Sequence, residues 1–142
     1  MKNFCNNLPF FFLMESSKAI QERMKMELTE FSLNLTEFSV LEVLYHKDKQ
    51  TIQQIVNHVL ISSGSMTYVI DKLEQRGLLN RMSCPDDRRA IHIALTNGGQ
   101  QLMEKIMPKH WKFVNDLFEP FNEEKKTIFI DMLKKIKMRT KK

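Results

Sequence analysis

The chain has 142 residues, of which 42% are hydrophobic and 27% charged, and 22 Lys and Arg stand against 17 Asp and Glu for a net charge of +5. That length and composition suit one compact domain with its own core, which needs neither disulfide nor metal, and they exclude a disordered chain. Four Gly and four Pro are too few for a many-turned all-β fold, while the positive charge suits a polyanion, either nucleic acid or an anionic membrane.

Leu8-Pro9-Phe10-Phe11-Phe12-Leu13-Met14 follows Lys2. It is short for the apolar core of a signal peptide, holds Pro9 and runs into Glu15 without a small-residue cleavage site. No stretch approaches the ~20 apolar residues of a spanning helix. The chain therefore reads as a soluble cytoplasmic protein without a membrane partner. Cys5 and Cys84 read as free thiols of a reducing compartment.

Phe10, Leu13, Ser17, Ile20, Met24 and Leu28 recur at helical spacing and predict a helix over residues 10–30. Thr36 is expected to cap a second helix, with Phe38, Leu41, Leu44 and Tyr45 on one face and a polar turn, Lys47 to Gln50, after it. Thr51 with Gln54 three residues on has capping-box form. It opens a short third helix with Ile55, Val56 and Val59 inward. A fourth helix is predicted from Ser63 to Arg76, with Met66, Val69, Ile70 and Leu73 inward and Gly77 closing it. Two strands follow, Leu78 to Met82 and Ala90 to Leu95. The second puts Ile91, Ile93 and Leu95 on one side and His92 outward. Cys84-Pro85-Asp86-Asp87-Arg88-Arg89 is the charged turn between them. Thr96 is expected to cap a long helix to about Phe118, kinked or split at Pro108. Asn122, with Glu123 and Glu124, begins a last helix striped by Ile128, Met132, Leu133 and Ile136, and a basic tail closes the chain.

The predicted fold is mainly α with a small β-hairpin wing. Three helices and a hairpin between Thr36 and Leu95 have the order of a winged helix-turn-helix, whose third helix lies in the major groove of DNA. The outer face of that helix carries Gly64, Thr67, Tyr68, Asp71, Lys72 and Gln75. Hydroxyls can reach phosphates and base edges, and Gly64 lets the backbone approach closely. The helix start at Ser63, Gly64 and Ser65 is positive and attracts a phosphate. Tyr68 can pack on a thymine methyl or bond a phosphate. Any solvated helix shows a polar face too, so the hairpin turn matters more. Arg88 and Arg89 suit a narrow, negative minor groove, and Asp87 can aim a guanidinium through a bidentate bond. The competing reading is a surface ion pair worth ~0–1 kcal/mol.

Asp87-x-Arg89, then five residues, Leu95-Thr96, two residues and Gly99 resemble the wing signature of the MarR family of bacterial transcription regulators. Leu73-Glu74-Gln75-Arg76-Gly77-Leu78-Leu79-x-Arg81 is similar to the segment leading into it. The turn from Cys84 and the run from Gly64 to Leu73 look closest to the quinone-responsive MhqR-type branch. The resemblance implies a homodimer. Residues 1–35 would supply a first dimerisation helix, 36–96 the winged DNA-binding region, and 97–142 the last dimerisation helices and basic tail, all one intertwined domain. It implies Arg89 in the minor groove, oriented by Asp87, with Arg88 on a phosphate. It also implies double-stranded DNA carrying an inverted-repeat operator as partner, and a repressor released by a small phenolic or quinone-like effector or by thiol modification. Phe11, Phe38, His110 and Trp111 are candidates to line an effector pocket, and each is equally a core residue. Cys5 and Cys84 are candidate redox positions, and each is equally a plain thiol.

No catalytic residue, cofactor or metal is expected. His46, His58, His92 and His110 do not pair at ligand spacing, and no phosphate, dinucleotide or nucleophile motif occurs. The alternative is a winged-helix module that binds a protein and does not read DNA sequence.

Overall fold

The computed structural model describes residues 7–62, 64–83 and 90–142. It divides into two compact units, Met1–Glu104 and Lys105–Lys142. The elements run α1 (Leu8–Leu28), a 3-10 turn (Thr29–Phe31), α2 (Leu35–Lys47), β1 (Gln50–Thr51), α3 (Ile52–His58), α4 (Met66–Gln75), β2 (Leu79–Ser83), β3 (Ile91–Leu95), α5 (Asn97–Phe118) and α6 (Glu123–Arg139).

In the first unit α1 starts two residues earlier than the periodicity suggests. The Asn7 side chain accepts from the Phe10 amide, and Pro9 sits in the first turn, where its missing N–H is not needed. Helix α2 is capped by Asn34, not Thr36. Asn34 and Glu37 exchange side chain and backbone bonds of 2.7 and 2.9 Å in a capping box, while Thr36 is buried inside the first turn. Helix α2 is the central helix of the unit, with Phe38, Val40 and Leu41 essentially inaccessible, and it packs against α1, α3, α4 and β3. Thr51 and Gln54 form the expected box at the start of α3. That helix buries Ile55 but leaves Val56 exposed, because neighbours on a helix lie 100° apart and cannot both centre on the core.

The sheet has three strands in the order β1-β3-β2, all antiparallel. β1 forms where a polar turn was expected, pairing Gln50 with Ile93 and Thr51 with His92. That extra strand half-covers His92, which was expected to face outward. β2 begins one residue later than expected, at Leu79. β3 buries Ile93 completely, but Ile91, opposite Ser83 at the far end of the hairpin, is exposed.

The end of α4 is a complete Schellman turn. The Gly77 amide donates to the Glu74 carbonyl and the Leu78 amide to the Leu73 carbonyl, with Gly77 at φ 74°. This turn docks on the start of α5. The Thr96 amide donates to the Leu78 carbonyl at 3.1 Å. The Thr96 hydroxyl donates to the Gly77 carbonyl at 2.5 Å and accepts from the Gly99 amide at 3.0 Å. Thr96 thus caps α5 as expected and also holds the end of α4. Gly99 is obligatory for this approach, since a Cβ there would lie 2.0 Å from the Leu78 carbonyl oxygen.

Helix α5 runs unbroken through Pro108, so the expected split is absent. Pro108 withholds a donor from the carbonyl of Glu104, the residue at which the first unit ends. In the second unit the Asn122 side chain caps α6 by accepting from the Lys125 amide at 2.8 Å, with Glu123 and Glu124 in the first turn. The rings of Phe118 and Phe129 meet at 6.1 Å. No side chain of α6 is buried, and Ile128, Met132 and Ile136 stand about half exposed.

Gly99→Ala is expected to lower stability by about 1–3 kcal/mol in urea denaturation, because the new methyl meets backbone that cannot rotate away. Gly98→Ala is the control, since a Cβ there lies 3.4 Å from its nearest neighbour, an ordinary contact. Equal effects at the two positions would contradict the docking described.

Candidate nucleic-acid interface

Helix α4 is strongly two-sided. Val69, Ile70 and Leu73 are buried, while Thr67, Tyr68, Lys72 and Gln75 are exposed on the opposite side. The Ser65 hydroxyl caps the helix by accepting from the Tyr68 amide at 3.4 Å. Gly64 precedes it at φ 77°, a conformation that side chains rarely adopt, so the entry into the helix depends on glycine. The Lys72 ammonium lies 5.6 Å from the centre of the Tyr68 ring, within cation–π range. The exposed face therefore gathers a hydroxyl from Thr67, a phenol from Tyr68, an ammonium from Lys72 and an amide from Gln75. Every one of these groups can donate a hydrogen bond.

Gly64, Ser65, Thr67, Tyr68 and Lys72 are thus brought together as the sequence suggests. Asp71, expected on the same face, has a different task. Arg81 on β2 reaches back across the helix, with Nη2 at 2.5 Å from Asp71 and Nη1 at 2.6 Å from Glu74. The Arg81 amide donates to the second Glu74 oxygen at 3.1 Å. Asp71 first, and then Glu74, hold the guanidinium above the usual arginine range, more than offsetting the desolvation that opposes its charge. Arg81 thus pairs with both carboxylates of α4, and its single charge together with that of Lys72 balances their two negative charges. The helix can then face a polyanion without repelling it.

A second arginine fixes the same helix from its other side. Arg76, the C-cap residue of α4, donates from Nη1 to the Ser32 carbonyl at 2.8 Å and from Nη2 to the Phe31 carbonyl at 3.1 Å. Both arginines fall inside the motif quoted above. Their partners lie on other elements, seven to ten positions away for Arg81 and 44 and 45 for Arg76, so spacing alone does not reveal them.

Ser63, the wing residues Asp87, Arg88 and Arg89, and both cysteines, Cys5 and Cys84, lie outside the described residues. Of the candidate pocket residues, Phe38 is 1% exposed and belongs to the core of the first unit, with Phe11 half-buried on α1. His110 is half-buried and Trp111 45% exposed, both on the α5 segment of the second unit. Among the described residues no three His, Cys, Asp or Glu side chains gather as a metal site would require. No helix among them is long and apolar enough to cross a membrane.

The architecture is shared with solved structures. Reduced AbfR bound to DNA superposes with a TM-score of 0.71 at 24% identity, covering 99% of this chain and 96% of that one. NadR in complex with 4-hydroxyphenylacetate gives 0.75 at 21% identity, covering 89% of each chain. At these identities the two structures speak for the fold alone. The sequence goes further. The HTH-type transcriptional regulator MhqR of Bacillus subtilis (strain 168) is 39% identical over 132 residues, covering 93% of this chain and 91% of that protein. Residues 33–91, from the turn before α2 into β3, match the profile of the MarR family. A segment that runs through the whole of α4, joined to identity along nearly the full length of a named regulator, establishes that the chain belongs to the MarR family of DNA-binding transcriptional regulators.

Proposed function

We propose that the protein is a homodimeric, sequence-specific repressor that acts in the cytoplasm on an inverted-repeat operator. Helix α4 of each protomer enters a major groove, with Thr67, Tyr68 and Lys72 toward the bases and phosphates and the Ser63-Gly64-Ser65 start beside a phosphate. Arg89, aimed by Asp87, enters the minor groove, and Arg88 meets a phosphate. The observation that carries this reading is the donor-rich face of α4, both of whose carboxylates are paired with Arg81. The DNA-bound state of AbfR, a neighbour of the same fold, supports it.

The homodimer is supported by apolar surface left open on both units. Phe10 and Phe12 of α1 are 63% and 55% exposed, and Ile128 and Ile136 of α6 are 51% and 48% exposed. Large exposed apolar side chains in this number mark an interaction surface. Release from DNA is assigned to a small phenolic or quinone-like effector, or to modification of Cys5 or Cys84. The phenol held by NadR supports the first route. Phe11 and Phe38 in the first unit, and His110 and Trp111 in the second, are each kept as candidate effector contacts.

The test is selection of duplexes from a random pool, followed by titration of the selected and a random duplex across salt, with and without a phenol or quinone. The expected result is an inverted repeat bound far more tightly than random sequence and released by the effector. Log K falls with log salt by ~0.9 per phosphate contact. A salt slope near zero, or equal affinity for both duplexes, would point to the protein-binding module instead. Lys72→Gln is expected to weaken both duplexes alike and to lower the slope by about one. Arg81→Met is expected to weaken selected-duplex binding roughly tenfold, equivalent to about 1.4 kcal/mol. The added changes Asp71→Asn and Glu74→Gln are expected to restore most of it. Full affinity in Arg81→Met would remove the role assigned to this pairing.

A further inference from the structure

Helix α1 runs through the 3-10 turn Thr29–Phe31 and stops at Ser32, which adopts a left-handed conformation with φ 54°. The Ser32 amide donates to the Thr29 carbonyl and the Leu33 amide to the Leu28 carbonyl, at 3.0 and 3.3 Å. The carbonyls of Phe31 and Ser32, at the end of the turn, are those that take the two nitrogens of Arg76. The turn presenting them is pinned from beneath by Leu28, Leu33 and Leu35, all nearly inaccessible. A helix C-terminus carries partial negative charge on its last carbonyls. Here two such ends meet, since Arg76 is itself the C-cap of α4, and its guanidinium lies at the carbonyl end of α1. The planar fork of arginine fits two carbonyls at once, where a lysine offers only a point charge.

We propose that Arg76 is a positioning residue for DNA recognition. From the end of α4 it caps the end of α1, and so sets the aim of the recognition helix from the α1–α2 turn without itself touching DNA. The inference rests on the reading that α4 enters the groove. It adds the element that sets the angle of entry, and it makes that angle depend on α1, a helix proposed to lie in the dimer contact. The other ties on α4 are independent of this one. Arg81 runs to β2, and the Gly77–Leu78 turn runs to the start of α5.

The test compares wild type, Arg76→Ala, Arg76→Gln and Arg76→Lys on the selected and the random duplex across salt, together with amide exchange of the DNA-free proteins. Arg76→Ala is expected to bind the selected duplex roughly 5- to 30-fold more weakly, with the salt slope unchanged and a smaller loss on the random duplex. Arg76→Lys recovers part of that loss. Arg76→Gln, which keeps a single donor nitrogen, falls between and serves if the alanine variant does not fold. Amides of α4 and of Ser32 and Leu33 exchange faster in Arg76→Ala. A slope lowered by about one would overturn the inference by making Arg76 a phosphate contact. Unchanged selected-duplex affinity, or equal losses on both duplexes, would overturn it as well. Failure of the wild-type protein to discriminate the duplexes removes the DNA reading and this inference with it. Discrimination by wild type with any of the other contrary results removes the inference alone.

Discussion

The turn that ends α4 decides what the rest of the molecule can do with that helix. Its carbonyls at Gly77 and Leu78 are taken by Thr96, at the start of α5. That contact exists only because Gly99 has no side chain. On one flank Arg81 ties the helix to β2, and on the other Arg76 ties it to the turn after α1. The C-terminal half of α4 is therefore held from three directions by groups with fixed geometry. A short helix of ten residues has little stability of its own, so its direction is set by these ties and by the burial of Val69, Ile70 and Leu73. The N-terminal half is left to present its cap and donor face outward.

Charge explains why one of those ties is an arginine between two acids. The net +5 belongs entirely to residues 97–142, with 11 basic and 6 acidic side chains, while residues 36–96 carry seven of each. Bulk charge therefore does not distinguish the segment proposed to bind DNA. What matters is where its charges point. Two of its acids sit on α4 itself and face Arg81, which bonds both at short distance while all three side chains stay partly open to solvent. Lys72 is left as the cation of the outward face. A segment of zero net charge thus presents Lys72 and a donor-rich surface to a polyanion.

Much of this was legible in the sequence because the signals are local. The apolar spacing of α4, the Thr51–Gln54 and Asn122 caps, Gly77 as a helix stop and the alternation around Ile93 all act within a few residues. The motif from Leu73 to Arg81 and the Thr96–Gly99 pair were visible as a resemblance, without their physical reason. Most of what escaped depends on contacts far apart in the chain, although the first miss is local. Asn34 outcompetes Thr36 because Glu37 completes its box. His92 is half-covered because the two-residue β1 arrives from before α3. Ile91 keeps the period of its strand but lies beyond the reach of the core. Asp71 sits on the outer face by helical angle, yet its charge is spent on Arg81 from the next strand. Pro108 did not break α5, since one lost bond is tolerated in a helix of 22 residues.

The central claim is that α4, held by its C-terminal end, reads base edges in the major groove. Dimethyl sulfate interference on a duplex selected by the protein tests this most directly, because methylation marks guanine N7 in the major groove and adenine N3 in the minor groove. The account predicts interference at guanine N7 in two half-sites about one helical turn apart. Interference confined to adenine N3, or none at any base, would contradict it.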